Sequence, residues 1–142
     1  MESDMLIRPN DRARDLLAQS FPIMKRNQDA LADGVAAYLR TADRRTSADD
    51  SVAIATMLVA LILDEAGRLV GSGAVRQPRD VLREHDAMGV QGRHYSCFGD
   101  ALVPVIRDVL GRGTPREVTS AWVDAFWATI RAIRSSPAQA AA

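Results

Sequence analysis

Apolar positions recur along most of this chain at the spacing of helices, and almost nowhere at the strict alternation of strands. Leu16, Leu17, Ser20, Phe21 and Met24 form one helical face after Pro9-Asn10, with Asn10 placed to cap it. Leu31, Val35, Tyr38 and Leu39 form a second face, which fades into the polar stretch TADRRTSADD. Ser47 followed by Asp50 resembles a capping box with Asp in place of Glu. The segment it opens, SVAIATMLVALILDEAG, is apolar almost all round, the pattern of a helix at the centre of a core. Gly67, Gly71 and Gly73 then break the periodicity.

Pro78 suits the first turn of a short helix that Gly89 and Gly92 end. Tyr95 to Leu110 is the next helix, with Gly99 and Pro104 inside it, so a kink or a late start is expected near Asp100. Gly111 and Gly113 close that segment. Thr114-Pro115-Arg116-Glu117 reads as a cap, a proline at the first position and an acid in the first turn. The face that follows is Val118, Trp122, Ala125, Phe126, Thr129, Ile130 and Ile133. The spacing predicts an all-α fold of six to seven helices in a single domain over 1–142, with loose ends at 1–9 and 135–142.

Composition narrows the function classes. The 142 residues are 47% hydrophobic, enough for one packed core, and 18 basic residues balance 18 acidic ones. That balance gives no bulk attraction to nucleic acid or an anionic membrane. The most apolar run, residues 52–63, is shorter than the roughly 20 residues that span a bilayer. The acidic start MESDMLIRPNDRARD lacks the apolar run of a secretory signal, and a lone Cys97 suits a reducing compartment, so a cytoplasmic protein is expected.

Two histidines are present, and one raises a question. Val81, Leu82, His85 and Met88 recur at helical spacing, which aims His85 toward the core. A buried imidazole must be hydrogen-bonded, held neutral or attached to something. His94 reads as an exposed or helix-terminal histidine, and Tyr95 as a packing aromatic whose hydroxyl finds a partner.

The residues around His85 resemble a known pattern. HDAMGVQGRHYSCFGDALVPVIRDVLG is similar to the stretch of globins that runs from the proximal helix into the next long helix, above all in bacterial single-domain globins and the globin half of flavohaemoglobins. His85, Met88, Gly89, Val90, His94, Tyr95, Gly99 and Leu102 stand in equivalent or near-equivalent places. TPREVTSAWVDAFWATI resembles the last globin helix through Thr114, Pro115, Ala121, Trp122 and Phe126. Together the two segments cover about a third of the chain.

The resemblance implies a globin-like fold and haem b, with His85 as the proximal ligand of the iron and Tyr95 as the partner of its other ring nitrogen. It also implies a diatomic gas (O2, NO or CO) as ligand. The acid that completes the proximal network in flavohaemoglobins has no counterpart at 135–137. On the distal side Val35 and Ala36 stand where a Phe-Tyr pair is usual, Ala53 at the usual polar position, and Met57 one turn later. Thr46 falls about where a phenylalanine normally wedges the haem. Haem contacts are therefore expected from His85, Val90, Tyr95, Val35, Ala36, Ala53 and Met57, with no strong donor to bound oxygen. Arg79 or Arg83 could meet the propionates. Nitric oxide dioxygenation would need a separate reductase, so the chain itself is not read as an enzyme.

Two further readings stay open. The fold could be kept without haem, as a sensor or protein-interaction module binding a signalling partner or an apolar guest, or the chain could be a helical bundle unrelated to globins. The last two helices could also pair two copies. Other chemistry lacks its motifs: GSGAVRQ follows no strand and is no phosphate loop, and no His-Glu-x-x-His or paired carboxylates are present.

Overall fold

The computed structural model describes the backbone of residues 2–71, 78–87 and 89–134, and side chains over 11–71, 83–87 and 89–133. Six helices follow one another: α1 Glu2–Arg26, α2 Gln28–Ala42, α3 Ala48–Leu69, α4 Pro78–Ala87, α5 Gly92–Leu110 and α6 Arg116–Arg134. No strand occurs among the described residues. The fold is all-α, as the periodicity predicts. No described helix is long and apolar enough to cross a membrane.

The all-round apolar segment is the centre of the core. Ser47 caps α3 by accepting from the Asp50 N–H at 3.1 Å, and Asp49 and Asp50 meet the positive end of the helix. From Ile54 to Ala66, α3 buries Leu58, Val59, Leu61, Ile62 and Leu63 on several faces. It packs on α2, α1 and α6, while α2 also lies along α5 and α6 along α1, α4 and α5.

Two glycines set how closely these helices approach. A Cβ on Gly34 would stand 2.9 Å from Val105 Cγ1, so α2 and α5 touch with almost no side chain between them. A Cβ on Gly99 would stand 2.7 Å from Trp127 Cζ2, which seats the indole of α6 on bare α5 backbone. Beside that contact Phe126 lies against Phe98, ring centroids 4.6 Å apart. Trp122, fully buried on α6, donates its indole N–H to Ser20 Oγ of α1 at 2.9 Å, and Ser20 donates to the Leu16 carbonyl at 2.7 Å. A buried indole keeps its hydrogen bond in this way without breaking the apolar packing around it.

Three local expectations are corrected. Asn10 does not start a helix: α1 runs through it from Glu2, so residues 2–9 are helical in the described backbone while 135–142 lie outside it. Pro104 neither delays nor ends α5, which runs unbroken from Gly92. Pro104 and Asp100, whose carbonyl would have accepted from residue 104, are both exposed residues, so the lost bond falls on the solvent side of α5. Thr114 does not cap α6. Its hydroxyl turns back to donate to the Gly111 carbonyl at 2.6 Å, and the Pro115 carbonyl accepts from the Val118 N–H instead, one residue later. Gly73 and the side chains of Val81, Leu82 and Met88 lie outside the described residues.

The seating of Trp127 on Gly99 predicts an asymmetry between glycines. Gly99→Ala forces the ring outward and should cost about 1–3 kcal/mol of stability, the usual scale of overpacking. Gly113→Ala, with open space around it, should be close to neutral. Chemical denaturation of the two variants checks the difference.

Candidate functional site

His85 is placed by the way α4 ends. Gly89 has φ 78°, a left-handed conformation that favours glycine. Its N–H donates to the Asp86 carbonyl at 3.0 Å, and the Val90 N–H donates to the His85 carbonyl at 2.9 Å. This pair of bonds is the Schellman closure of a helix, and it fixes the His85 backbone while turning Val90 into the core. The imidazole is 1% exposed.

Its partner comes from α5. His85 Nδ1 lies 2.8 Å from Tyr95 Oη, and both rings are buried. With the proton on Nδ1, His85 donates to the phenol oxygen and Nε2 carries the lone pair. A hydroxyl at Nδ1 sets ring orientation without adding a negative charge. Tyr95 thus meets one ring nitrogen of His85.

The other predicted positions divide between two helices. Val35 and Ala36 are buried on α2, and Ala53 and Met57 are half-buried on α3. None offers a hydrogen-bond donor. Arg83 is exposed, and the side chain of Arg79 lies outside the described residues. Among the described residues no group of three or more metal-binding side chains gathers. Three surface grooves are lined by residues of α1, α5 and α6 with Val70, Arg112, Thr114 and Pro115, and His85 lines none of these three.

A second polar cluster was not legible in the chain. His94 is 2% exposed rather than solvent-facing, in the first turn of α5. Its Nδ1 accepts from the Gln91 N–H at 2.9 Å, so a neutral ring carries its proton on Nε2. Nε2 lies 2.8 Å from Thr46 Oγ1, and the Thr46 hydroxyl donates to Asp43 Oδ2, also at 2.8 Å. Arg93 Nε donates to the same oxygen at 2.8 Å, while Asp43 Oδ1 accepts from the Arg45 N–H at 3.1 Å. The chain of bonds therefore runs from the α5 backbone through His94 and Thr46 to a buried carboxylate. Asp43 and Thr46 sit in the connection from α2 to α3, some 50 positions before Arg93 and His94 in sequence. The local half, Asp43 with Arg45 and Thr46, is an Asx-type turn that TADRRT could have suggested. The long-range half carries no pattern.

The electrostatics follow from these contacts. The Thr46 hydroxyl and the Arg93 guanidinium hold Asp43 down from 3.8 to about 2, against the opposing pull of burial. Burial pushes His94 below its ordinary 6.5, helped by Arg93 and resisted by Asp43. Burial, with Asp43 and Asp100, raises the thiol of Cys97, which keeps it protonated and weakly nucleophilic.

No protein-family model matches the chain, and no curated protein matches it significantly.

Two outcomes are expected. Tyr95→Phe strips the hydroxyl from a buried ring nitrogen and should cost about 1–3 kcal/mol, the worth of a buried polar group losing its partner. Urea unfolding measures it. The folded value of Asp43 lies below its free value, so its contribution to stability is complete above about pH 4 and is lost as pH falls from 3.8 toward 2. Asp43→Asn should flatten that limb of the stability–pH curve.

Proposed function

We propose that this chain is a globin-like domain that ligates haem iron through His85 and so binds a diatomic gas. The observation that carries the reading is the buried His85–Tyr95 pair at 2.8 Å. It holds the imidazole in a core position with Nδ1 engaged, which is how a protein sets the tautomer of an iron-ligating histidine. The packing adds support: six helices pair out of chain order, α1 on α6, α2 on α5 and α4 on α6, the kind of connectivity by which globins pack helices pairwise.

The donor chemistry fits a haem, which needs one neutral nitrogen from the protein and an apolar enclosure. His85 is 1% exposed, and Val35, Ala36, Leu58 and Leu102 are buried, so a haem at His85 would have to displace part of the packing around the imidazole. When bound, haem would supply the iron that takes the gas. The chain's own part is to present His85, hold it through Tyr95, and exclude water with Val35, Ala36, Val90, Ala53 and Met57. With no donor among those five, retention of dioxygen should be weak relative to carbon monoxide or nitric oxide.

The burial of His85 with Tyr95 as its hydrogen-bond partner also supports a second reading, in which the globin-like scaffold works without haem as a sensor or interaction module. His85 is then a satisfied core histidine. Titration with ferric haem separates the two. The haem reading expects a sharp Soret band at one haem per chain, a melting temperature that rises with haem concentration, and loss of both in His85→Ala. A protein that stays colourless and melts unchanged supports the module instead, and an unaltered spectrum in His85→Ala removes His85 as the ligand.

A further inference from the structure

The polar cluster at the start of α5 has no part in ligating iron, yet it sits one residue before the tyrosine that holds His85. His94 there faces groups from three elements. Asp43 closes α2, with its Oδ2 3.5 Å from His94 Nε2. Arg45 and Thr46 lie in the following connection, Asp50 in the first turn of α3, and Gln91 and Arg93 at the head of α5. Arg93 and Arg45 oppose a positive ring, and Asp43 and Asp50 favour one. The head of a helix also carries the positive end of its dipole, which disfavours a cation.

The hydrogen bonds make protonation a structural event. A neutral His94 accepts one bond at Nδ1, from the Gln91 backbone, and gives one at Nε2, to Thr46. We propose that His94 is an acid-sensitive latch. Protonating Nδ1 turns an acceptor for the Gln91 N–H into a donor facing it, which releases the first turn of α5 and loosens Tyr95 from His85. The Gln91 carbonyl accepts from the Tyr95 N–H at 3.3 Å, so the residue that loses its cap also positions Tyr95 in the helix. Thr46 cannot compensate, because its own proton is committed to Asp43.

Burial lowers the ring from its ordinary 6.5, so the neutral, latched form persists at 6.5 and is lost only as pH falls further, through the lowered folded value. Asp43 titrates far lower, at about 2, and stays ionised throughout. The device is a property of the ligand-free chain and stands or falls independently of haem.

Amide hydrogen exchange of the full chain, read by NMR together with the His94 ring resonance from pH 8 downward, tests it. The Gln91 and Tyr95 amides should lose protection by about tenfold, the worth of one helix cap, with the same midpoint as the His94 titration. The Tyr95 ring signals should shift in that step. In His94→Asn, whose side-chain oxygen can stand in for Nδ1 but takes up no proton, protection should stay flat. Protection that is unchanged while His94 titrates, a midpoint elsewhere, unmoved Tyr95 signals, or the same acid step in His94→Asn would each overturn the latch. The wild-type midpoints decide the matter alone if His94→Asn does not fold.

Discussion

Burying an imidazole deprives two nitrogens of water, and this chain does so with both of its histidines. Both are served by the head of α5: the backbone N–H of Gln91 meets His94 Nδ1, and the hydroxyl of Tyr95 meets His85 Nδ1. The rest of the arrangement follows from that requirement. α5 must begin where α4 has just ended, so the chain turns sharply at Gly89 in a left-handed conformation. The connection from α2 to α3 must bring Asp43 and Thr46 to the same place. One helix terminus thus fixes the positions of α2, α3 and α4 in the polar half of the molecule.

The contacts further along α5 and on α6 are organised mainly by packing. Trp127 lies on Gly99, Phe126 on Phe98, and Gly34 on Val105, with the buried Trp122–Ser20 bond tying α6 to α1. These contacts are short-ranged and tolerate little change in volume. The polar half is governed instead by protonation and charge, since Asp43 accepts from a threonine, an arginine and a backbone amide at once. A buried carboxylate with that many donors costs little while ionised and a great deal if any donor leaves. Sensitivity to pH is therefore concentrated at one end of α5, and sensitivity to steric change at its middle.

The helices were legible because each has a face, and α3 was legible as central because it has none. Ser47 could be read as a cap because the signal is local, three residues from donor to acceptor. Prolines misled in opposite directions for the same reason. Pro104 is tolerated inside α5 because its exposed side lets water take the orphaned carbonyl, and exposure is a tertiary property. At Thr114 the hydroxyl donates back to the Gly111 carbonyl and so closes the turn behind it instead of capping α6. Of the candidate site, the inward aim of His85 and its pairing with Tyr95 were readable. The burial of His94 was not, since its partner Thr46 lies 48 residues away and neither residue type favours the core.

Thr46 connects the two halves of the functional question. A globin-like reading expects an apolar wedge near this position, and a threonine tied to Asp43 and His94 is a different solution to the same corner. An apolar wedge would press on whatever lies between α2 and α5. A hydrogen-bonded threonine draws the corner toward the head of α5 and leaves the interior to Val35, Val105 and Leu102, which fill it. At this corner directional bonds from Thr46 to Asp43 and His94 tie the connection between α2 and α3 to the head of α5. The stability of that corner is therefore tied to the charge state of Asp43 and His94, the two titratable groups whose bonds meet at Thr46.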